Sequence, residues 1–152
     1  MSFDVKASLQ AIESYLSKSG YFSSVQIGER KAPPPGDGLS VDIWMKSAAV
    51  VRLYANGGTG ESHVVMARVY RDLFGLPTEE TEFVLAKAVQ QILSDLLGEY
   101  DLGATVREID AGGINGQSVR TDWGHVDIGG KLFRVADITL PLSVDDSATM
   151  AP

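Results

Sequence analysis

The pattern of apolar and polar positions predicts a helix close to the N-terminus. Apolar residues recur there at spacings of four, three and four, namely Val5, Leu9, Ile12 and Leu16. This spacing places the four side chains on one stripe of a helix, with polar residues around the rest of its surface. Ser2 or Asp4 is suited to cap the start of the helix, and Gly20 is suited to end it.

A second helix is predicted to begin at Pro77 and Thr78 and to end near Gly98–Asp101. Glutamates occupy its first turn, where the helix dipole favours negative charge. Its broad apolar face consists of Leu85, Ala88, Val89, Ile92, Leu93 and Leu96.

A short strand and a proline loop are predicted between the first helix and the centre of the chain. The strand passes through Val25 and Ile27. The segment Lys31–Gly38 then contains three consecutive prolines, Pro33, Pro34 and Pro35. Proline has no N–H to donate to a sheet, so this segment is predicted to be a stiff, extended loop that ends in flexible glycines.

A long hairpin is predicted next. Alternation over Leu39–Met45 indicates a half-buried strand, which Val50–Tyr54 continues after a break near Ser47–Ala49. The segment Ala55–Ser62 forms its loop. His63–Asp72 is interpreted as the returning strand rather than a helix, because it is rich in β-branched residues.

The last third of the chain is predicted to be mostly sheet. Val106–Ile109 is a short strand, and Ala111–Gln117 is a glycine-rich loop. Gly129 and Gly130 fit the two-residue turn of a hairpin between strands His125–Ile128 and Lys131–Leu140, the second of which stops at Pro141 and Leu142.

The order of these elements predicts the fold class. Helix, strands, helix and strands in succession indicate an α+β domain with two helices packed on a mainly antiparallel sheet that has long hairpins. We expect a single domain over residues 1–142, followed by a loose C-terminal tail over residues 143–152 that is flexible or ordered by a partner.

Composition excludes several classes of function. The chain has 152 residues, a formal net charge of -7 and no cysteine, so disulfides and thiolate metal sites are excluded. Its basic residues are scattered among a larger number of acidic ones, which argues against direct nucleic-acid readout and against an anionic membrane surface. No apolar run approaches the roughly 20 residues that span a bilayer.

The glycine-rich segment Asn56–Gly60 is weak evidence for a phosphate-binding loop. A phosphate loop needs a helix N-terminus after its glycines, and here no lysine follows and the next segment is predicted to be a strand. We interpret Asn56, Gly57, Gly58, Thr59 and Gly60 as a hairpin tip, and no cofactor is predicted.

One alternative is a small metal-dependent hydrolase. His125 and Asp127 are two positions apart, so they share one face of a strand, and His63 or Asp122 would complete a set of two histidines and a carboxylate. No spacing typical of such sites supports this alternative. No nucleophile motif is present either, so no catalytic residue and no metal site is predicted.

Two tryptophans are open to either interpretation. Trp44 and Trp123 each lie in a hairpin region, where they belong to the core or, if exposed, anchor an interface.

Two blocks of the sequence resemble small tail proteins of long-tailed bacteriophages, in particular the tail terminator, or tail completion, family of lambda-like phages. The first block is Tyr21–Glu29 with the proline loop and Gly38–Trp44. The second is Asp101–Arg107 with Gly130–Asp146. The motifs are structural and contain no catalytic signature.

The resemblance implies a role in the virion. Proteins of this family form a homohexameric ring on the last ring of the tail tube, stop its growth and present a surface for joining the head. Their fold is a sheet flanked by helices, and they have no cofactor. The partners implied are further copies of the chain, the tail tube protein and the head-tail connector proteins. The location implied is the head-proximal end of the tail, after assembly in the host cytoplasm. A head-completion or connector protein is the alternative from the same junction.

A ring requires one patch of each subunit to fit a different patch of its neighbour. Sheet edges and long loops are suitable patches, because their backbone groups can pair with another chain. The candidate contacts with the tube or with neighbouring subunits are Pro33, Pro34, Pro35, Trp44, Asn56, Gly57, Gly58, Thr59, Gly60, Asn115 and Trp123.

Overall fold

Two helices and six strands are found in the part of the chain that the structure, a computed structural model, describes: residues 4–34, 38–52, 59–74, 77–98, 108–109 and 118–145. In chain order they are α1 (Val5–Lys18), β1 (Phe22–Ile27), β2 (Leu39–Arg52), β3 (Thr59–Asp72), α2 (Thr78–Gly98), β4 (Glu108–Ile109), β5 (Arg120–Ile128) and β6 (Lys131–Asp145).

The six strands form one sheet in the order β1-β2-β3-β6-β4, and β5 also pairs with β6. The pairs β2–β3, β3–β6, β4–β6 and β5–β6 are antiparallel, and β1 pairs with β2 in parallel. The α+β class with a mainly antiparallel sheet is therefore confirmed.

Both helices pack on the same face of the sheet, here called the helix face. Leu9, Ile12 and Leu16 of the predicted α1 stripe and the predicted face of α2 pack against alternate residues of β2, β3 and β6. Val5, the first residue of the predicted stripe, is instead 40% exposed. Fully buried side chains of this core include Ile12, Ile43, Val65, Leu85, Ile138 and Leu140. Neither helix is long and apolar enough to cross a membrane, as far as the described residues go.

The start of α1 shows how its sequence fixes the helix. The carboxylate of Asp4, and not the alternative Ser2, accepts a hydrogen bond from the backbone N–H of Ala7 at 3.0 Å. This bond satisfies one of the N–H groups that the first helical turn leaves without a partner. At the other end the helix stops at Lys18, and Gly20 follows with a φ of 80°.

The long hairpin differs from its prediction in two places. The predicted break near Ser47–Ala49 is wrong, because β2 continues to Arg52 with a β-bulge between Met45 and Ser47. A bulge inserts one residue, so the alternation changes phase although the strand goes on. The predicted loop is also too long, because β3 begins at Thr59 and so includes Gly60.

The C-terminal hairpin is confirmed, although its first strand begins at Arg120 and not at the predicted His125. Gly129 and Gly130 have φ angles of 59° and 86°, and the two-residue turn that matches the twist of a hairpin requires positive φ at both positions. The predicted end of the last strand is wrong, because β6 continues through Ser143 to Asp145. The predicted tail therefore begins within a strand, and residues 146–152 lie outside the described part.

The segment Gly28–Pro34, here called the strap, crosses the other face of the sheet. Parallel neighbours such as β1 and β2 cannot be joined by a tight turn, so the chain must return before β2 begins. The strap leaves β1 where the N–H of Gly28 donates to the carbonyl of Ile43 at 2.7 Å. We call the face that it crosses the strap face.

Ile43 and Ile27 offer a matched test of the core. They are register partners on β2 and β1, but Ile43 is fully buried whereas Ile27 is 40% exposed. Ile43→Ala should lower the free energy of unfolding by about 2–5 kcal/mol, because it leaves a cavity in the core. Ile27→Ala should cost much less. Urea denaturation of both variants measures the difference, and equal losses would contradict the placement of the core.

Candidate interaction surfaces

The outer edge of β2 leaves a long stretch of open backbone in the described part of the chain. β2 has 14 residues, and β1 pairs with its first five, as far as Ile43. Among the described residues, no strand pairs with this side of the remaining nine, Trp44–Arg52, here called the β2 free edge. Lys46 to Val50 are all exposed, and Val50 is 77% exposed.

A second open edge lies at the opposite side of the sheet. β5 pairs with β6 on one side, and its other side has no partner among the described residues. Trp123 projects from β5 on the helix face, since its register partner is the core residue Ala136, and it is 41% exposed. The open question about this tryptophan is thus answered in favour of the surface.

Charged side chains mark the β5 edge. Arg120 donates to Asp122 at 2.8 Å, and both side chains are more than half exposed. Asp127 accepts a hydrogen bond from the N–H of Gly130 at 2.8 Å, which closes the hairpin turn. Charges on an edge strand hinder unspecific pairing with other chains, whereas the β2 free edge has small residues at Ser47–Ala49.

A buried ion pair anchors the strap to the sheet. The carboxylate of Asp42 accepts hydrogen bonds from Nε of Arg30 at 2.7 Å and from the backbone N–H of Arg30 at 3.0 Å. The side chain of Asp42 is fully buried, and that of Arg30 is 5% exposed. An unpaired charge in such a buried place is very unfavourable, so Arg30 and Asp42 stay paired. Their pairing fixes the strap to β2.

Tyr70 completes this site from β3. Its hydroxyl donates to Asp42 at 2.7 Å, and the guanidinium of Arg30 lies 5.6 Å from the centre of its ring. Burial raises the pKa of the Tyr70 phenol well above its usual value, and the hydrogen bond to Asp42 raises this pKa further. The ring also packs edge-on against Phe133 in a small apolar cluster on the strap face.

Trp44 lies beside a second charged group on the strap face. The guanidinium of Arg68 is 5.3 Å from the centre of the Trp44 ring and donates twice to Asp137, at 2.6 and 3.0 Å. The hydrogen bond to Asp137 raises the pKa of Arg68 above its usual range. Trp44 is half-buried, so it is less available as an anchor than Trp123.

The proline loop is partly described. Pro33 is exposed and lies beside the β5–β6 turn, where a Cβ added to Gly129 would be 3.1 Å from its Cδ. Pro34, at the end of the strap, is buried. The remaining candidate contacts Pro35, Asn56, Gly57, Gly58 and Asn115 lie outside the described residues, and the side chain of Thr59 is likewise not described.

The hypothetical metal set is not assembled. His63 and His125 pair with Leu142 and Arg134 of β6, which are about 26 Å apart at ~3.3 Å per residue. Asp122 lies on the opposite face of β5 from His125, because their positions differ by an odd number. No cluster of three metal-ligating side chains occurs within the described ranges.

Sequence reasoning missed Arg30 and Asp42. Asp42 occupies a polar position of an alternating strand, which ordinarily indicates a solvated face. Arg30 lies in an irregular segment without any periodicity. A signal existed in the neighbouring prolines, because a stiff crossover between parallel strands must cover one face of the sheet.

The buried pair can be tested against an exposed pair. Asp42→Asn removes the charge that compensates Arg30, so it should lower the free energy of unfolding by about 3–5 kcal/mol. Asp122→Asn is the matched control in the exposed Arg120 pair and should cost about 0–1 kcal/mol. Chemical denaturation measures both values. Similar small losses would mean that the strap is not held by Asp42.

Tyr70 should make stability depend on alkaline pH. Its folded-state pKa is raised, so the folded protein holds the proton more tightly than the unfolded chain, whose tyrosine has a pKa of about 10. The associated stabilisation is complete below pH ~10 and is lost as the pH rises above it.

The variant Tyr70→Phe isolates this effect. It should cost about 1.5–3 kcal/mol at neutral pH, the contribution typical of a hydrogen bond to a charged group. It should also remove part of the decrease in unfolding free energy above pH ~10. Tyr21→Phe, at a residue 38% exposed, is the control. An unchanged alkaline profile in Tyr70→Phe would refute the assignment.

Comparisons with known proteins add little to this picture. No family model and no curated protein matches the chain. Among solved structures, it is similar to a chain of the "Virion of native gene transfer agent (GTA) particle". The identity is 16%, with 93% of this chain and 91% of that chain covered, and the TM-score is 0.37. A TM-score this low carries no argument about function, so a functional proposal must rest on the residues of this chain.

Proposed function

We propose that the chain is a non-enzymatic structural protein of a phage virion, a tail terminator. In this role it caps the tail tube as a homohexameric ring, stops polymerisation of the tube and provides the surface for head joining. The sequence supports this proposal through the two blocks that resemble the tail terminator family. They are Tyr21–Glu29 with the proline loop and Gly38–Trp44, and Asp101–Arg107 with Gly130–Asp146.

The observation that carries the proposal is the pair of open edges. The β2 free edge and the outer edge of β5 lie at opposite sides of one sheet, with different side chains on each. A ring needs two such unlike patches on every subunit, because identical patches would close a dimer instead. Unpaired N–H and C=O groups give each edge a strong tendency to bind a strand.

The strap supplies a further surface that suits a junction protein. The Arg30–Asp42 pair holds its base, so exposed Pro33 is presented on a fixed backbone. A preordered loop loses little conformational entropy when it binds. We infer that this loop contacts the tube protein or the head-tail connector proteins at the head-proximal end of the tail.

Loss of the gene in the phage that encodes the chain tests the function. Without a terminator, the tube should grow past its normal length, and heads should stay unjoined. Electron microscopy of the resulting particles measures tail length and head attachment, and expression of the wild-type chain from a plasmid should restore both.

The same images decide between the two junction roles. Tails of normal length that lack heads would contradict the terminator and favour the head-completion protein. Normal, fully joined particles would contradict both roles.

A further inference from the structure

The two open edges cannot satisfy each other within one molecule. The strands β3 and β6 separate β2 from β5 in the sheet. Any strand that completes the β2 free edge must therefore come from another chain, or from residues outside the described part. A second copy of this chain offers an edge of the same length, since β5 has 9 residues and the β2 free edge also spans nine, Trp44–Arg52.

We propose that the β2 free edge pairs with β5 of the next copy in an antiparallel ladder that places Val50 opposite Trp123. This contact rests on the proposed ring and specifies its subunit interface. It joins the sheets of neighbouring copies edge to edge.

Strand direction supports the antiparallel ladder. Three successive antiparallel pairs connect β2, β3, β6 and β5, so β5 runs opposite to β2 in the same chain. Rotation from one copy to the next in a six-membered ring turns a strand by less than a right angle, even where the strands are tilted to the ring axis, so the next copy keeps this direction. Its β5 therefore meets β2 in the antiparallel sense, whose hydrogen bonds are the straighter of the two ladder types.

The exposed apolar side chains fix the register. Val50 pairs with Glu61 of β3 and Trp123 pairs with Ala136 of β6, which places both side chains on the helix face. Val50 is 77% exposed and Trp123 is 41% exposed. A contact between an aromatic and a β-branched side chain is a favourable cross-strand pair.

The same register also brings compatible side chains together at further positions. With Val50 opposite Trp123, the ladder brings Ala48 opposite His125 and Lys46 close to Asp127. The first pair combines a small side chain with a large one, and the second combines opposite charges. On the strap face, Ala49 lies opposite Gly124, so this pair brings no bulky side chains together.

Room for the incoming strand is present. β1 ends at Ile27, the register partner of Ile43, so no described strand pairs with this side of β2 from Trp44 onward. The β5 strand of the next copy would pair with β2 from the point where β1 stops. The two copies are therefore offset from each other along the strand direction. Such a displacement is the shear that tilted strands need when a sheet closes on itself.

Engineered cysteines test this contact on a clean background, because the natural chain has none. Ala48→Cys and His125→Cys are placed on separate copies, mixed at high concentration and oxidised. Oxidation of the mixture should give a covalent heterodimer, and oxidation of either variant alone should give no covalent dimer. The double variant should give a ladder of oligomers.

A matched control distinguishes cross-links that form in the proposed interface from cross-links that form by random encounters between molecules. Gln90 is exposed on α2, as His125 is on β5, so a mixture of Ala48→Cys with Gln90→Cys also presents two exposed cysteines but lacks the proposed ladder. This mixture should give about tenfold less heterodimer, the ratio that corresponds to 1.4 kcal/mol of contact free energy. Equal yields in the two mixtures would overturn the proposal.

Other outcomes also decide. Covalent dimers of Ala48→Cys alone would indicate that two β2 edges pair with each other. Covalent dimers of His125→Cys alone would indicate that two β5 edges pair. Either result overturns the proposal. If no cross-link forms in solution, the double variant is assembled into particles and oxidised there. Absence of cross-links in both settings overturns the contact.

A second variant separates the contact from the function. Val50→Lys should abolish cross-linking between copies that also carry the two cysteines, whereas Val5→Lys, at a valine 40% exposed on α1, should not. If cross-links fail while gene deletion still gives overlong tails, the contact is wrong and the terminator stands. If cross-links form while deletion leaves tails normal, the terminator is wrong.

Discussion

The buried carboxylate of Asp42 holds the connection between β1 and β2, which are the parallel pair among the described strands and so cannot be joined by a hairpin. β1 and β2 are parallel, so the chain between them must cross a face of the sheet as irregular backbone. Asp42 accepts two hydrogen bonds from Arg30 and one from Tyr70, which ties the strap to β2 and β3 at once. A hydrophobic contact would not fix the direction of the strap as these bonds do.

The same crossover accounts for the open edge. β1 is short because the chain must turn away at Gly28 to reach the strap face, and this leaves the rest of β2 without a described partner on that side. Proteins ordinarily protect such edges with charges, bulges or a covering element. Here β5 has the charges. The β2 free edge has a bulge and one lysine near its start, but the exposed residues that follow, at positions 47–50, are small or apolar. An edge with so little protection is best explained by a partner that covers it.

The periodicity of the sequence predicted those features of the fold that depend on the spacing of nearby residues. The stripes of α1 and α2, the alternation of Leu39–Met45 and the turn at Gly129–Gly130 each lie within a few turns or pleats of the chain. The ion pair between Arg30 and Asp42 depends on the crossover between β1 and β2, and no local pattern indicates it. The open edges depend on strand order, which the sequence pattern does not contain.

The bulge in β2 relates the sequence pattern to the open edges. Ser40, Asp42 and Trp44 point to the strap face, and simple alternation would place Val50 on that face as well. The additional residue between Met45 and Ser47 reverses the alternation, so Val50 points to the helix face instead. Trp123 lies on the helix face of β5, and only with the bulge do these two exposed side chains share a face when copies join edge to edge. The feature that interrupts the sequence pattern is thus the one that makes the two edges complementary.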